Sequence, residues 1–376
     1  MKLKLHLAIG SVALLASGCA AETHLPDANE DVSSAQSPAV SDIQTMTKRA
    51  DGRFDVTCTD GATEIRTDQQ ILANQVCLTG DGTPIYACRD ASEIGRRIVA
   101  KDGKLFWLCE GSTGSYILAA SATPGGTVTT LFDSMGTYRF LRQLHADANS
   151  KYLVFQEGEG GVTAFDTTNL AAPPLRYSAG ENCTYIAADT RHIYCRTQNS
   201  IQRVSVTSPS GTGFTRLISN IGYGNDFALD GPVTNRIVYP AGGSGGWVHT
   251  ITVSNTTPTS LATSQHYPHD ATILGGNAYW LRDEGLTYAP AAGGGSLNFA
   301  QQRVGIQSYH PDAQGNIYFR LYNRQANTVS IEKVQTSTTS TRLRRGLVTP
   351  GDMTLDDQYL YWIGSYGGAV YRTLKE

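Results

Sequence analysis

Residues 353–375 read MTLDDQYLYWIGSYGGAVYRTLK, and this stretch carries the rule on which the chain is built. A short apolar strand containing Met353 and Leu355 meets a polar turn at Asp356-Asp357. A second strand runs from Tyr359 to Ile363, a glycine turn follows at Gly367-Gly368, and a third strand runs from Ala369 to Leu374. Alternating apolar and polar residues punctuated by turn formers predict an antiparallel meander. The same pattern recurs upstream as HPDAQGNIYFRLYNRQANTVSIEKV, ILGGNAYWLRDEGLTYAPAAGG, ALDGPVTNRIVYPAGGSGGWVHTITV and IAADTRHIYCRTQNSIQRVSV. Two further copies are HADANSKYLVFQEGEGGVTAFD and VAKDGKLFWLCEGSTGSYILAAS.

Aligned on the second strand, an aromatic residue falls at Trp107, Phe155, Tyr194, Tyr239, Trp280, Phe319 and Trp362. The spacing is about 40–45 residues, which with four strands per unit is the period of a β-propeller blade. The expected fold is therefore all-β: a propeller of seven four-stranded blades over residues 83–376. Six or eight blades are the alternatives, because the copy at His145 is the most diverged.

At AYWLRDEGLTYAPAAGG and LYWIGSYGGAVYRTLK the chain resembles the YWTD-type and related bacterial six- to seven-bladed propellers. Their units read aromatic-Trp, polar turn, β-branched residue, then a Gly-rich end. The resemblance covers roughly residues 95–376 and implies a fold rather than a reaction. Leu281-Arg282 and Ile363-Gly364 stand where that family has Thr-Asp, so a ligand set carried by that pair is not transferred.

The chain of 376 residues holds one large domain and a small addition. Its 30 Lys and Arg against 33 Asp and Glu give a net charge of −3, which leaves no basic field for nucleic acid. The 39 glycines favour tight turns over helix bundles.

Residues 1–18 read as an export signal: Lys2 and Lys4, an apolar run from Leu5 to Leu15, then Ala16-Ser17-Gly18 before Cys19. The ASGC ending resembles a bacterial lipoprotein signal, which implies cleavage before Cys19 and a diacylglycerol on its sulfur. An ordinary secretory signal is the alternative. Ala20 is not the acidic residue that retains lipoproteins at the inner membrane, so the expected location is the cell envelope, anchored in the outer membrane. Residues 19–50 are polar, without apolar period, and read as a flexible tether. Residues 51–82 read as a small module: a hairpin in FDVTCTDGATEIRT turning at Asp60-Gly61, and a short helix in TDQQILAN.

Setting Cys19 aside leaves six cysteines, an even number that in an exported chain predicts disulfides. Cys183 and Cys195 flank one hairpin and are expected to pair. Cys58 with Cys77 and Cys88 with Cys109 then remain. The run at Pro84–Arg89 precedes the first blade where an outer strand would stand, and the last blade ends without one. It is expected to complete that blade and close the ring.

The chemistry-bearing residues are few. GGSGG at 242–246 matches G-x-S-x-G, but it joins two strands and no helix follows, so Ser244 reads as a loop serine. Asp226, Asp270 and Asp352 each open a first strand, four residues before Asp230, Leu274 and Asp356. First strands line a propeller's channel, which would place these carboxylates at one mouth. His145 and His310 share a second position, and His269 adjoins Asp270. Such a set suits a divalent cation or a polar ligand, and equally suits plain hydrogen bonding to the neighbouring blade's backbone. Asp102, Asp147, Asp189, Asp230, Asp312 and Asp356 read as turn residues. The expected function is a lipid-anchored, non-catalytic binding module for a protein, peptide or glycan. The alternative is a propeller lyase or hydrolase using the channel His and Asp residues.

Overall fold

Period-2 alternation leaves each strand with one side chain row for each face of its sheet, and the chain uses both faces. Second strands such as Lys104–Gly111 and Tyr359–Gly364 are buried on both sides. The computed structural model describes residues 43–58, 63–66 and 84–375, apart from 135–139, 147–149, 159, 225, 296–297, 302–304, 313, 324–327, 335–340, 348–349 and 366. Over these residues the regular structure is all β-strand. Six consecutive antiparallel four-stranded sheets are followed by a three-stranded one. The first strands of the seven sheets are Ile94–Lys101, Leu141–Ala146, Tyr185–Ala188, Ala228–Leu229, His269–Leu274, Ile306–Pro311 and Pro350–Leu355. They lie innermost and face one another around a central channel.

Seven apolar clusters hold the ring, one between each pair of successive blades. The first and second blades share Phe106, Leu108, Leu153 and Phe155, and the second and third share Val154, Val162, Ile186 and Cys195. The series continues through clusters centred on Phe227 and Ile237, Val238 and Trp280, Leu281 and Phe319, and Tyr318 and Trp362. The last cluster joins the seventh blade to the first through Tyr361, Ile363, Ile98 and Trp107. Seven joints between seven blades make a closed ring.

The repeating aromatics explain why the period is legible. All seven are fully buried, and Trp107, Phe155, Tyr239, Trp280, Phe319 and Trp362 each pack toward the preceding blade. Tyr194 does not. It packs toward the following blade with Phe227 and Tyr239, and its neighbours Ile193 and Cys195 face the preceding blade instead. The aligned aromatic in this blade is thus shifted by one residue, which in a strand reverses the face.

The ring closes as expected at Pro84–Arg89. Ile85 N–H donates to Val370 O at 2.7 Å, Val370 N–H to Tyr86 O at 2.7 Å, and Cys88 N–H to Gly368 O at 3.1 Å. This sets an antiparallel bridge, Tyr86 with Val370, on the outer edge of the three-stranded seventh blade, where a fourth strand would stand. The same segment is fastened to the first blade. Tyr86 stacks on Trp107 at 5.5 Å, and the sulfurs of Cys88 and Cys109 are bonded. Arg89 reaches Asp133 at 2.8 Å and Thr130 at 2.8 Å. Gly368 has to be glycine: its φ is 51°, and a Cβ there would run into the Cys88 sulfur.

Cys183 and Cys195 are likewise bonded to each other across their hairpin. Cys58 is disulfide-bonded; its expected partner Cys77 lies outside the described residues, as do the export signal, Cys19, the turn at Asp60-Gly61 and the expected helix. Phe54–Cys58 pairs with Thr63–Arg66 as the sequence predicts. One expectation needs correcting. Ile43–Lys48 is not tether but a strand paired with Phe54–Cys58, so three strands form this module rather than two. Its sequence, IQTMTK, has no apolar alternation to announce it, and its β-branched Ile43, Thr45 and Thr47 take up a strand once a partner edge is supplied.

Candidate functional site: the two rims of the channel

Six of the seven inner strands carry a polar residue four positions before their terminal turn position: Gln143, Tyr185, Asp226, Asp270, Ser308 and Asp352. The first blade has Ile98 there. All seven line one inner cavity of about 260 Å³. Above it opens a mouth of about 850 Å³ that shares Arg97, Gln143, Tyr185, Asp226 and Asp270, and adds Arg142, Glu181, Asn182, Thr184, Gln198 and His269. The six residues expected at the channel therefore do meet there. Asp226, Asp270, Asp352, His145 and His310 line the inner cavity, and His269 joins Asp226 and Asp270 at the mouth.

Backbone irregularities aim these groups. The ladder between first and second strands shifts register at Gly95/Arg97, Arg142/Leu144, His269/Thr272, Ile306/Ser308 and Pro350/Met353. These bulges recur at the mouth end of five inner strands, where an extra residue re-aims a side chain. Gln143 and Asp270 sit in them with φ of 53° and 52°, a conformation that costs energy for a residue with a Cβ and clusters at functional positions.

The expected bonding to neighbouring blades is half of the picture. Asp352 Oδ2 accepts from Ile98 N–H at 3.3 Å, Asp226 Oδ2 accepts from Ala271 N–H, and Gln143 donates to Thr184 O at 2.8 Å. Two arginines brace the rim from behind. Arg196, fully buried, donates to Asp226 O; Arg320 donates to Pro350 O at 3.0 Å. Gly224 makes room for Arg196, since a Cβ there would strike its guanidinium. Other polar atoms remain unspent: Asp226 Oδ1, Tyr309 OH and Ser308 Oγ are buried without a hydrogen-bond partner.

The electrostatics follow from this crowding. Burial, then the charge of Asp270, pushes the Asp226 carboxyl up to about 7, against the Ala271 hydrogen bond and Arg196. Asp270 is open to the channel yet ringed by protein. That enclosure raises it, while His269, His310 and Arg97 pull the other way. Burial lowers His310 despite Asp352 and Asp270. His145 Nδ1 lies 3.3 Å from Tyr185 OH, and His269 Nδ1 2.7 Å from Tyr267 O. Arg97 lies 3.6 Å from Asp352. Among the described residues no three His, Cys, Asp or Glu side chains converge closely enough to hold a metal ion.

The opposite rim uses the same residue type differently. Asp189 accepts from Arg191 N–H, His192 N–H, Tyr194 OH and Thr234 N–H at 2.6–3.0 Å. Asp312 accepts from Gln314, Asn316 and Tyr318, and Asp356 from Gln358, Tyr359 and Tyr361. Asp230 accepts from Asn235 N–H, and Asp102 from Thr167 OH. These are the turn residues the sequence predicts; Asp147 lies outside the described residues. Burial alone would raise Asp312, but hydrogen bonds from Asn316, with Lys375 nearby, hold it below the usual carboxylate range.

Two exposed residues beside the rim, outside the lining of either cavity, are not foreseen in the sequence. Tyr223 is 75% exposed and Tyr267 57%. Each stands three residues before a rim aspartate. The GGSGG turn ties both down: Gly242 N–H donates to Tyr223 O at 2.7 Å and Tyr267 N–H to Gly243 O at 3.1 Å. Ser244 is a loop serine between Arg236–Ala241 and Gly246–Thr252, as expected. The shared three-residue spacing is the only trace of the tyrosines in the sequence.

No family model matches the chain, and no curated protein does. Solved structures do. A chain of the mitotic checkpoint complex aligns with a TM-score of 0.57 at 12% identity, over 78% of this chain and 91% of its own. A catalytically inactive virginiamycin B lyase from Staphylococcus aureus, solved with quinupristin, aligns at 0.56 and 11%, over 77% and 98%. A β-propeller domain from Myceliophteria thermophila aligns at 0.57 and 11%, over 78% and 99%. The chain is a β-propeller. At such identities the likeness extends to the fold alone, and propellers host binding and catalysis alike.

Proposed function

We propose that the chain is a lipid-anchored, extracytoplasmic binding module of the bacterial cell envelope, taking its ligand at the channel mouth. The observation that carries this is the contrast between the rims. One spends its carboxylates on turns, whereas the other leaves Asp226 Oδ1 unpaired beside a cavity of about 850 Å³, a ligand-sized concavity. The anchor at Cys19 and outer-membrane placement rest on the signal-like N-terminus. Exposed Tyr223 and Tyr267, three residues before Asp226 and Asp270, give the surface beside the mouth the aromatic character of contact surfaces.

A photo-crosslinking residue placed at Tyr223 or Tyr267 of the full chain in the envelope should trap a partner. The same residue at Asp357, exposed on the opposite rim, should not. Equal labelling from both rims would refute the assignment. A second reading, a propeller enzyme, is favoured by one feature. A carboxyl pushed up to about 7 beside a second carboxyl sits in the range of a general acid or base at neutral pH. In that case the trapped ligand would be converted rather than merely held.

A further inference from the structure

Which ligand chemistry suits the mouth can be argued from what is left unpaired there. Three carboxylates, Asp226, Asp270 and Asp352, face three guanidinium groups, Arg97, Arg196 and Arg320, and the six exert charge effects on one another. At the mouth Glu181 lies 3.4 Å from Arg216. With Arg142 on the mouth wall, groups of both signs are interspersed and nearly balanced, so a cation would meet the arginines and an anion the aspartates. What remains is hydrogen bonding. Asp226 Oδ1 needs a donor, while Tyr309 OH and Ser308 Oγ can give and accept. Asp226 and Tyr309 are 5% and 6% exposed, and both line the inner cavity. Unpaired buried polar groups are costly, so water fills this role when no ligand does.

A ligand gains by displacing that water only if it reproduces the water's bonds. Groups that both donate and accept, closely spaced on a rigid ring, do so. Gln143, Asn182 and Gln198 add planar amides and Arg142 a planar guanidinium to the mouth walls; Gln143 gives one N–H to Thr184 O and Asn182 Oδ1 accepts from Gln156, which leaves further donors and acceptors on these groups for hydroxyls. Beside them stand two exposed tyrosine rings, each an apolar face with a polar edge, both hydrogen-bonded through their backbone to one glycine hairpin.

We propose that the channel mouth binds a neutral, polyhydroxylated ligand, a saccharide, with its hydroxyls on Asp226 and Asp270 and a ring face against Tyr223 and Tyr267. This rests on the mouth being the binding face. The mouth is large enough for a short oligosaccharide rather than a single sugar alone.

The test uses the full chain carrying Cys19→Ser, purified without sugar-based detergent. It is titrated calorimetrically with chitotetraose, maltotetraose, mannotetraose and a panel of bacterial envelope polysaccharides, then with spermidine and tripolyphosphate. At least one saccharide should bind saturably. Tyr267→Ala should weaken that binding about tenfold, and Asp270→Asn at least threefold. Asparagine tolerates the positive φ of that position, and melting curves check that both variants fold. Asp357→Asn should change nothing. Silence across all saccharides overturns the proposal, as does saccharide binding indifferent to both substitutions. Binding of spermidine or tripolyphosphate alone assigns the mouth to a charged ligand and overturns it too. If crosslinking at Tyr267 still traps a partner while every saccharide is silent, the binding face stands and the ligand class falls.

Discussion

The two rims of the channel are built from the same residue at nearly the same spacing, and they do different work. At the turn rim Asp189 satisfies four donors and Asp312 and Asp356 three or more each. At the mouth rim, four residues earlier in the chain, Asp226 satisfies one backbone donor with one oxygen and leaves the other unpaired. A carboxylate surrounded by donors is ionised cheaply and stabilises the fold. One that is buried with few donors, beside another carboxylate, is costly to ionise. Such a cost can be offset by a ligand that supplies the missing donors, which is the ground on which we propose the mouth as the functional end.

The contrast can be broken most severely at Asp189. Its replacement by alanine strips acceptors from the half-buried Arg191 and His192 N–H groups and from the buried Tyr194 OH and Thr234 N–H. Asp189→Ala should destabilise the propeller by about 3 kcal/mol or more, read as a lower denaturant midpoint. Ligand binding by the fraction still folded should be unaffected. A loss under 1 kcal/mol would mean that the turn carboxylates are not structural after all.

Asp226→Asn should act in the opposite direction and by less. Below about pH 4 this carboxyl is protonated in the folded and unfolded chain alike and contributes nothing. Between about 4 and 7 the unfolded chain gives up its proton first, so the folded state loses stability as pH rises, levelling off above about 7. A carboxyl held near 7 carries a penalty of about 4 kcal/mol once ionised. Coupling to Asp270 shares that penalty, so one substitution should recover about 2 kcal/mol. Asparagine keeps the bond from Ala271 N–H. The variant should therefore melt higher than wild type at pH 8 and level with it at pH 4, while binding ligand more weakly. Equal melting at both pH values would show that Asp226 is not strained.

Much of the fold is legible because it repeats. A buried aromatic facing the preceding blade every 40–45 residues is a packing requirement renewed at each joint, so six of seven copies show it. Tyr194 misleads because an aromatic one position along fills the opposite joint, and composition does not record which face a residue takes. The closing segment at Pro84–Arg89 is readable from a missing partner, whereas Ile43–Lys48 is not, since its pairing edge is the only thing that makes it a strand. At the site, Asp226, Asp270 and Asp352 are found by their shared spacing. Gln143, Tyr185 and Ser308 occupy the same register in other blades with different side chains, so a search by residue type passes over them. Tyr223 and Tyr267 belong to loops, where no period marks them, and Arg196 and Arg320 act through a neighbouring blade's carbonyls, a contact that exists only in three dimensions.

The most direct test of the two-rim account is a titration of the aspartate side-chain carboxyl carbons by NMR, on protein labelled at that carbon and assigned by substitution. Asp226 should titrate near 7 and Asp270 above the ordinary carboxylate range, while Asp312 should titrate below it. Asp226 and Asp270 above the ordinary range, with Asp312 below it, is the predicted result. If Asp226 and Asp312 titrate together near 4, the mouth carboxylates are as well satisfied as those of the turns, and the assignment of the channel mouth as the binding site is contradicted.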